Sequence, residues 1–598
     1  MNKQAIEQDL RQREQALNIK ESFIIQAPAG SGKTELLIQR LLALLANVNS
    51  PEEVLAITFT KKAANEMRER VLGALKDAAN TTEPEPAHKR KTWHLARMVL
   101  KRDGEKKWQI LANPNQLQIK TIDSLCSYLT IQLPLLAQFG SQPSIADTPG
   151  RLYDEAAHQI LTQIEEDVAW SDSIAALLLH LDNDLNQLKA LLIALLAKRD
   201  QWLPHIFKHG GEESITVLLE EYITQILSDA IATAVDTFPG EYFEEALELL
   251  RYANENLKTL DPAPEAARDD SRHCERSEAI QWRGIANLLL TKTYQWRKTI
   301  DARGGFPAPG STKNAEEKKR FTDYKERFKN LIDTLNFNDD LRLALEDISR
   351  LPQPDNQATE SAILEHLVPI LKLTAAQLRV VFQLHGKIDF IENALAALTA
   401  LGNEDEPTNL ALALDYKIQH ILVDEFQDTS STQYALLRKL TNGWQPNDGR
   451  TLFVVGDPMQ SIYRFREAEV GLFLRMRMHG LDAIQLTPLT LALNFRSTPA
   501  IIDWNNTHFS AIFPQHTNPA TGAVTYSSSV APHDVTESDD TIEVRGFAPD
   551  SHATQAEHLV EKIQTWQQQF PNDDIAILVR SRSHLKSIIP IMRDSGIS

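Results

Sequence analysis

The chain has 598 residues, of which 42% are hydrophobic and 24% are charged, a composition that excludes a largely disordered or fibrous protein and provides for several domains. Its formal net charge of −19 excludes a surface coated in positive charge, although local basic grooves that bind nucleic acid remain compatible with it. Residues 1–22 lack a signal-peptide core, and no segment reaches the uninterrupted apolar length of a membrane span. The two cysteines form neither a disulfide framework nor a metal-ligand spacing. We therefore expect a reduced, cytoplasmic protein without membrane contact.

The first predicted elements are a buried strand at Phe23–Ile25, a glycine-rich turn and a helix. Leucines recur at three- and four-residue spacing from Leu36 onward, which predicts that the helix begins at the turn. The turn is a phosphate-binding loop in which alanine replaces the usual first glycine: Ala27, Pro28, Ala29, Gly30, Ser31, Gly32, Lys33 and Thr34. Such a loop aims backbone N–H groups and a helix dipole at phosphates. We expect Lys33 to reach the β- and γ-phosphates of ATP and the Thr34 hydroxyl to hold Mg²⁺.

Further predicted elements divide the chain into an α/β core and a helical insertion. Apolar runs at Val54–Phe59 and Leu117–Ile122 predict strands of a parallel sheet, whereas leucine-rich helical patterns dominate residues 146–409. Strands are predicted again at Ile418–Val423, Leu452–Val455, Thr541–Val544 and Ile575–Val579. Runs that are apolar on both faces suit strands covered by helices on each side. The pattern therefore predicts an α/β fold with a large all-helical insertion.

Residues 88–107 contain a concentration of lysine and arginine. Two interpretations stay open for them: a solvated helix face, or a patch that contacts phosphates.

Two carboxylates follow the predicted strand Ile418–Val423 directly. The carboxyl ends of parallel strands lie beside the ligand crevice of such sheets. We therefore expect Asp424 to hold the Mg²⁺ that bridges the phosphates, and Glu425 to orient or deprotonate the attacking water. The alternative is an acidic strand-to-helix turn in which Asp428 caps the next helix.

A second segment with candidate functional side chains follows the predicted strand Leu452–Val455. Gln460 carries an uncharged amide that suits a sensor of the γ-phosphate. The string Tyr463-Arg464-Phe465-Arg466 interleaves aromatic and cationic side chains, which single-stranded nucleic acid requires for its bases and its backbone; buried core aromatics are the alternative. Further on, Arg496 is placed to neutralise charge that develops on the γ-phosphoryl group.

In this order the motifs resemble those of superfamily 1 DNA helicases of the UvrD/Rep type, and most of all the branch with the RecB- and AddA-like recombination helicases. Residues 58–68 resemble the first strand-contacting motif of that family, and residues 121–126 resemble the next one. The resemblance implies that Gln12 reads adenine and that Arg496 acts as an arginine finger. It also implies DNA contacts by Phe59, Thr60, Thr121, Asp123, Tyr463, Phe465 and Arg466.

The resemblance implies two RecA-like domains that clamp ATP between them. We predict the first RecA-like domain in residues 1–145 and 410–488, the helical insertion in residues 146–409, and an incomplete second RecA-like domain in residues 489–598. The later motifs of the family, a lysine-glycine-leucine-containing one and an alanine-leucine-threonine-arginine one, do not occur in the sequence. We therefore expect a truncated form with impaired activity.

The expected function is that of an ATP-dependent DNA helicase or translocase in repair or recombination, with 3′→5′ polarity implied by the resemblance alone. ATP and Mg²⁺ are the expected cofactors, and single-stranded or duplex DNA is the expected ligand. A RecC- or AddB-like subunit, or the product of a split downstream gene, is the expected protein partner. Two alternatives are a non-catalytic DNA- or partner-binding protein or pseudogene product that retains ATP binding, and a P-loop kinase or metabolic ATPase, which the aromatic–arginine string disfavours.

Overall fold

The computed structural model describes residues 2–132, 143–146, 148–166, 168–208, 228, 230–257, 271–350, 357–402, 406–463, 468–519, 521–532, 542–548 and 551–597. Its strands are β1 (Phe23–Gln26), β2 (Val54–Thr58), β3 (Gln118–Thr121), β4 (Ser144–Ile145), β5 (Lys387–Ile388), β6 (His420–Val423), β7 (Thr451–Gly456) and β8 (Thr487–Thr490).

The helices up to the end of the insertion are α1 (Asn2–Gln15), α2 (Lys33–Leu45), α3 (Lys61–Asn80), α4 (Ala87–Lys106), α5 (Ile122–Gln132), α6 (Gly150–Leu161), α7 (Ser171–His180), α8 (Leu185–Leu196), α9 (Arg199–Lys208), α10 (Phe243–Leu257), α11 (Ser271–Leu289), α12 (Ala315–Leu335), α13 (Asp339–Arg350), α14 (Gln357–His385) and α15 (Phe390–Leu401). The later helices are α16 (Asn409–Lys417), α17 (Ser431–Leu440), α18 (Val470–His479), α19 (Pro499–Ile512), α20 (His552–Gln569) and α21 (Leu585–Asp594).

The centre of the fold is a parallel sheet in the strand order β3–β2–β6–β7–β1–β8. Every residue of β2 and β7 is buried, because helices cover both faces of the sheet. Apolar side chains of α2, α3 and α4 form the core on one face, and those of α5, α15, α17 and α18 form it on the other. Since all six strands are parallel, the segments that follow β1, β2, β6 and β7 all lie at the carboxyl ends of the strands, on the same side of the sheet.

The predicted α/β sheet with a helical insertion is confirmed, and five predicted strands are present as β1, β2, β3, β6 and β7. Strand β8 was not predicted, because its sequence Thr-Pro-Leu-Thr interrupts the apolar pattern with Pro488. A proline is tolerated there because β8 lies at the edge of the sheet and pairs only with β1.

The predicted strands at Thr541–Val544 and Ile575–Val579 are wrong. Thr541 lies outside the described residues, and residues 542–544 and 575–579 are not strands. Val544 is 77% exposed and Leu578 is 94% exposed. Among the described residues no neighbouring strand pairs with their backbone groups, and a β-strand exists only through such pairing. Where it is described, the chain after β8 therefore consists of α19, α20, α21, a short 3₁₀ helix at Arg582–His584, irregular segments and isolated bridges.

A buried arginine fastens the helical insertion internally. Arg199, the first residue of α9, makes two hydrogen bonds to Asp389, of 2.7 and 2.6 Å, and a third of 3.2 Å to Glu392. Asp389 caps α15, which packs against α5 and α17 of the core. Removing one member of a buried ion pair leaves an uncompensated charge, so loss of any member of this cluster should weaken the contact between α9 and α15 within the insertion.

One segment corrects the expectation about apolar length. Ile363–His385 of α14 is long and apolar enough to cross a membrane by length and composition alone. In the structure 44% of its apolar window is buried, and the helix packs against α6, α7 and α8. Arg379 within it donates a hydrogen bond to Glu392, at 3.0 Å. This packing is that of a core helix, which meets the same length criterion.

The basic residues of 88–107 lie on α4, apart from Lys107 directly after it, and acidic neighbours pair with several of them. Lys91 pairs with Glu14, and Arg90 and His94 lie 3.2 and 3.0 Å from Glu83. These pairs favour a solvated helix face over a phosphate-contacting patch.

Candidate ATP and DNA site

The phosphate loop is shaped by two glycines in the left-handed backbone region. Gly30 has a φ of 76° and Gly32, the residue before α2, has a φ of 73°. A Cβ at Gly30 would collide with the Asn494 side chain and would lie 2.9 Å from Arg496 Cβ. Glycine is therefore required at Gly30 both for the backbone conformation and for the close approach of the 494–496 segment. The loop ends at the N-terminus of α2, where unpaired N–H groups favour an anion.

Lys33 and the two predicted carboxylates lie close together at the carboxyl ends of the central strands. Lys33 Nζ lies 2.5 Å from Glu425 Oε2 and 3.8 Å from Asp424 Oδ1. Burial raises the pKa of Asp424 to about 6, while the charge of Lys33 acts in the opposite direction. Asp424 and Glu425 follow β6, whereas Lys33 begins α2 after the loop that follows β1, and β7 separates β1 from β6 in the sheet.

Asp424 and Thr34 fit the Mg²⁺ ion that ATP carries. Thr34 is the second residue of α2, and Asp424 is a buried carboxylate at the end of β6. Both offer hard oxygen atoms, and Mg²⁺ in nucleotide sites takes only one or two protein ligands beside phosphates and water.

Gln427 joins the ends of β6 and β7. Its Nε2 donates hydrogen bonds to Glu425 Oε2 at 2.8 Å and to Asp428 Oδ2 at 3.3 Å. Its Oε1 accepts from the backbone N–H of Asp457 at 2.9 Å. The alternative in which Asp428 caps the next helix is wrong, because Ser430 caps α17 in a capping box.

Gln460 is connected to the carboxylates through this bridge. It follows β7, and its side-chain amide donates a hydrogen bond to Asp457 Oδ2. Burial raises the pKa of Asp457 above its ordinary value, whereas the hydrogen bond from Gln460 lowers it. A chain of contacts thus runs from Lys33 through Glu425, Gln427 and Asp457 to Gln460.

Arg496 lies beside the phosphate loop on a tight turn. Asn494 Oδ1 accepts hydrogen bonds from the N–H groups of Arg496 and Ser497, both at 2.9 Å. The N–H of Phe495 donates to Gly30 O at 2.8 Å. The Arg496 side chain is exposed, and no carboxylate in the described part of the chain lies within ion-pair distance of it.

Three residues of this site were missed by sequence reasoning: Asp9, Arg13 and Phe495. Asp9 and Arg13 share one face of α1 with Gln12, and the spacing of i, i+3 and i+4 is the only signal that the sequence offers. Phe495 is 56% exposed, with Arg13 Cζ 5.2 Å from its ring centroid. The Gln12 Oε1 accepts a hydrogen bond from Thr490 N at 3.3 Å.

Two predicted DNA-contacting aromatics lie together. The rings of Phe59, after β2, and Tyr463, after β7, have centroids 4.7 Å apart and planes tilted by 42°. The ends of β2 and β7, which lie on either side of β6 in the sheet, therefore bring the two rings together as one aromatic surface. Phe465 and Arg466 lie outside the described residues.

The other predicted DNA contacts begin helices. The Thr60 hydroxyl caps α3 by accepting from Ala63 N at 3.1 Å. The Thr121 hydroxyl accepts from Ser124 N, also at 3.1 Å, at the start of α5. The carbonyl of Asp123 accepts from the side chain of Asn393 at 3.0 Å, which joins this segment to α15.

Comparison with known proteins gives a consistent result. A family model described as the UvrD/REP helicase N-terminal domain matches residues 9–479. The A subunit of the ATP-dependent helicase/nuclease of Exiguobacterium sibiricum is 26% identical over 525 residues, a match that covers 85% of this chain and 40% of the relative. The proteins of the same description in Bacillus cytotoxicus and Lysinibacillus sphaericus are 26% and 27% identical, with 82% of this chain and 38% of each relative covered. The chain thus spans about 40% of the length of the curated relatives that it matches.

Proposed function

The chain belongs to the UvrD/REP helicase family, and we therefore propose that it is the ATP-driven motor part of a DNA helicase or translocase in repair or recombination. The resemblance inferred from the motifs, to the UvrD type and its AddA-like branch, is confirmed. The observation that carries the proposal is the contact of Lys33 with Asp424 and Glu425 beside the N-terminus of α2.

In the proposed reaction each of these residues has a separate task. Lys33 exchanges Glu425 for the β- and γ-phosphates of ATP, and Glu425 is then free to orient the attacking water. Thr34 and Asp424 would hold Mg²⁺, which would neutralise charge on the phosphate oxygens. Arg496 approaches the γ-phosphoryl group from the turn beside Gly30 and stabilises its charge.

We propose that Gln12 and Phe495 bind the base of ATP. The Gln12 side chain lies at the end of β8, where its Oε1 accepts from Thr490 N, and the exposed Phe495 ring beside Gly32 offers a flat apolar face on which a purine can stack. The amide of Gln12 supplies the polar contact that distinguishes adenine.

We propose further that ATP state and DNA grip are connected through Gln460. This residue is tied to Asp457 and lies three positions before Tyr463, whose ring lies against Phe59. A shift of Gln460 toward the γ-phosphate would move the aromatic surface on which unpaired bases stack. Thr60, Thr121, Asp123, Phe465 and Arg466 would line the path of the strand, with 3′→5′ polarity.

The partner is proposed from the relatives. Their description names one subunit of a helicase/nuclease, and therefore an assembly of more than one polypeptide. We propose that this chain binds a partner of the AddB or RecC type. We also propose that the chain divides into a first RecA-like domain in residues 1–145 and 410–488, a helical insertion in residues 146–409 and part of a second RecA-like domain in residues 489–598.

Nucleotide titration of the full chain tests the proposal. The Lys33→Ala variant should bind a fluorescent ATP analogue with Mg²⁺ about 10- to 100-fold more weakly, since a charge-assisted contact contributes about 1.5–3 kcal/mol. Lys20→Ala, which alters an exposed lysine on the loop before β1, is the control and should bind normally. Equal affinity in wild type and Lys33→Ala would contradict the proposed ATP site.

A second candidate function is a DNA- or partner-binding protein that binds ATP without turnover. Single-turnover hydrolysis with and without oligo-dT separates the two. DNA-stimulated hydrolysis that Glu425→Gln abolishes favours the motor, whereas nucleotide binding without hydrolysis favours the non-catalytic role.

A further inference from the structure

Helix α1 holds the segment that follows β8 through a buried carboxylate. Asp9 is 1% exposed, and its Oδ1 accepts hydrogen bonds from Ala492 N at 2.7 Å and Leu493 N at 3.1 Å. Its Oδ2 accepts from Arg13 Nε at 2.5 Å. Both oxygens of this buried carboxylate accept hydrogen bonds from N–H groups. The carboxylate therefore fixes α1 and the backbone of residues 492–493 relative to each other.

Arg13 extends this contact to the phosphate loop. Its Nη2 donates to Ser31 O at 2.7 Å, and its guanidinium carbon lies 5.2 Å from the centroid of the Phe495 ring. One planar side chain therefore contacts Asp9, the phosphate loop and the turn that carries Arg496. Guanidinium is suited to this because its donors point in fixed directions within one plane.

The turn itself is seated on the loop. Phe495 N donates to Gly30 O at 2.8 Å, and the space that a Gly30 side chain would occupy is filled by Asn494. On the far side, Asn494 N donates to Val530 O at 2.9 Å. The position of Arg496 beside Gly30 is thus set by contacts on both sides of the turn.

We propose that Asp9 and Arg13 are positioning residues that dock the Asn494–Arg496 turn on the phosphate loop and so set where Arg496 meets ATP. The role given to Arg496 rests on the proposed function, whereas the docking rests on the contacts alone. Misplacement of a reacting group by about 1 Å costs about 100-fold in rate, so loss of this docking should be visible in catalysis before it is visible in nucleotide affinity.

The first test is single-turnover ATP hydrolysis by the full chain. Asp9→Asn places an amide N–H or a neutral oxygen against Arg13 and weakens the docking, so we expect hydrolysis to fall by about 10- to 100-fold. The dissociation constant for ATP should rise by a smaller factor than the one by which hydrolysis falls, because Lys33 and the loop N–H groups remain even if the Phe495 ring is displaced. Arg13→Lys, which keeps the charge but not the fork of donors, should lie between wild type and Arg13→Gln.

A double-mutant cycle separates positioning from simple stabilisation. If Asp9 acts through Arg496, Asp9→Asn should have little further effect on hydrolysis in an Arg496→Ala background. Additive losses would overturn the proposal. The matched control is the exposed pair on another face of the same helix, Glu7 and Arg11, whose Glu7→Gln and Arg11→Gln variants should behave like wild type.

A second measurement tests the docking of the turn without requiring measurable hydrolysis. Hydrogen–deuterium exchange at residues 490–497 should rise in Asp9→Asn and Arg13→Gln and stay unchanged in the control variants, at equal thermal stability. Binding of ADP–aluminium fluoride should weaken more than binding of ADP. Unchanged exchange would refute the docking, whereas normal ATP binding by Lys33→Ala would refute the proposed function instead.

Discussion

Lys33 Nζ lies 2.5 Å from Glu425 Oε2, so the lysine proposed to bind phosphate and the carboxylate proposed to act on water hold each other at the end of β6. Any phosphate that bonds Lys33 competes with this carboxylate. The pair therefore links nucleotide binding to the release of Glu425, and the consequences can be measured.

Replacing Glu425 by glutamine should separate binding from hydrolysis. Glu425→Gln removes the charge that competes for Lys33, so ATP should bind at least as tightly as in wild type. Hydrolysis should fall by about 10²- to 10⁴-fold, the usual contribution of a general base. A fluorescent ATP analogue and single-turnover hydrolysis give the two quantities. Glu66→Gln, on an exposed face of α3, is the control; hydrolysis at the wild-type rate in Glu425→Gln would rule out this role of Glu425.

Gln427→Leu should reduce turnover more than substrate binding. The change removes the N–H donors to Glu425 and Asp428 and the acceptor for Asp457 N. We expect kcat to fall more than about tenfold with little change in KM, and the unpaired Asp457 N–H to cost about 1–3 kcal/mol of stability. Gln427→Glu should be at least as harmful, since it brings a third carboxylate beside two others. Steady-state kinetics and thermal unfolding test this; a rise in KM alone would contradict it.

Loss of either aromatic ring should weaken binding of single-stranded DNA. A stacked base contributes about 1–3 kcal/mol, so Phe59→Ala and Tyr463→Ala should each weaken binding of oligo-dT by about 5- to 150-fold. Because the two rings lie in contact, the double variant should lose less than the sum. Fluorescence anisotropy measures the affinities, and Phe337→Ala, at an exposed ring in the helical insertion, is the control. Equal DNA affinity in wild type, the two single variants and the double variant would exclude this surface as the DNA site.

Stability should decrease as the pH falls from about 6.5 toward 4 in a manner that depends on His420. Burial, together with the charge of Arg40, lowers the pKa of His420 to about 4. Below pH 6.5 the unfolded chain binds a proton that the folded chain does not, so unfolding becomes more favourable, by roughly 1–3 kcal/mol at most. Asp424 contributes with the opposite sign, since its pKa is raised to about 6.

A variant isolates the histidine contribution. His420→Asn keeps a hydrogen-bonding group near Thr451 Oγ1, which lies 2.8 Å from His420 Nδ1, but does not titrate. Urea unfolding at pH 7 and pH 5 should show a smaller loss of stability in the variant than in wild type. The same loss in both proteins would show that other groups dominate.

Much of the site could be read from local sequence because the chemistry is local. A short apolar strand, two glycines and a lysine that begins a helix define the phosphate loop within a dozen residues. Asp424 and Glu425 directly follow an apolar run, so their place at the carboxyl edge of the sheet follows from strand direction. The DNA contacts predicted for Phe59, Thr60, Thr121, Asp123, Tyr463, Phe465 and Arg466 all stay predictions.

The remaining relationships depend on how distant segments meet. Asp9 and Ala492 are 483 residues apart, and no local sequence pattern around either residue predicts their contact. Gln427 and Asp457 meet only because β6 and β7 are neighbours in the sheet. The same reason explains the failed strands at 541–544 and 575–579: apolar composition makes a segment able to form a strand, but a strand needs a neighbour for its backbone hydrogen bonds, and that neighbour is a property of the folded chain.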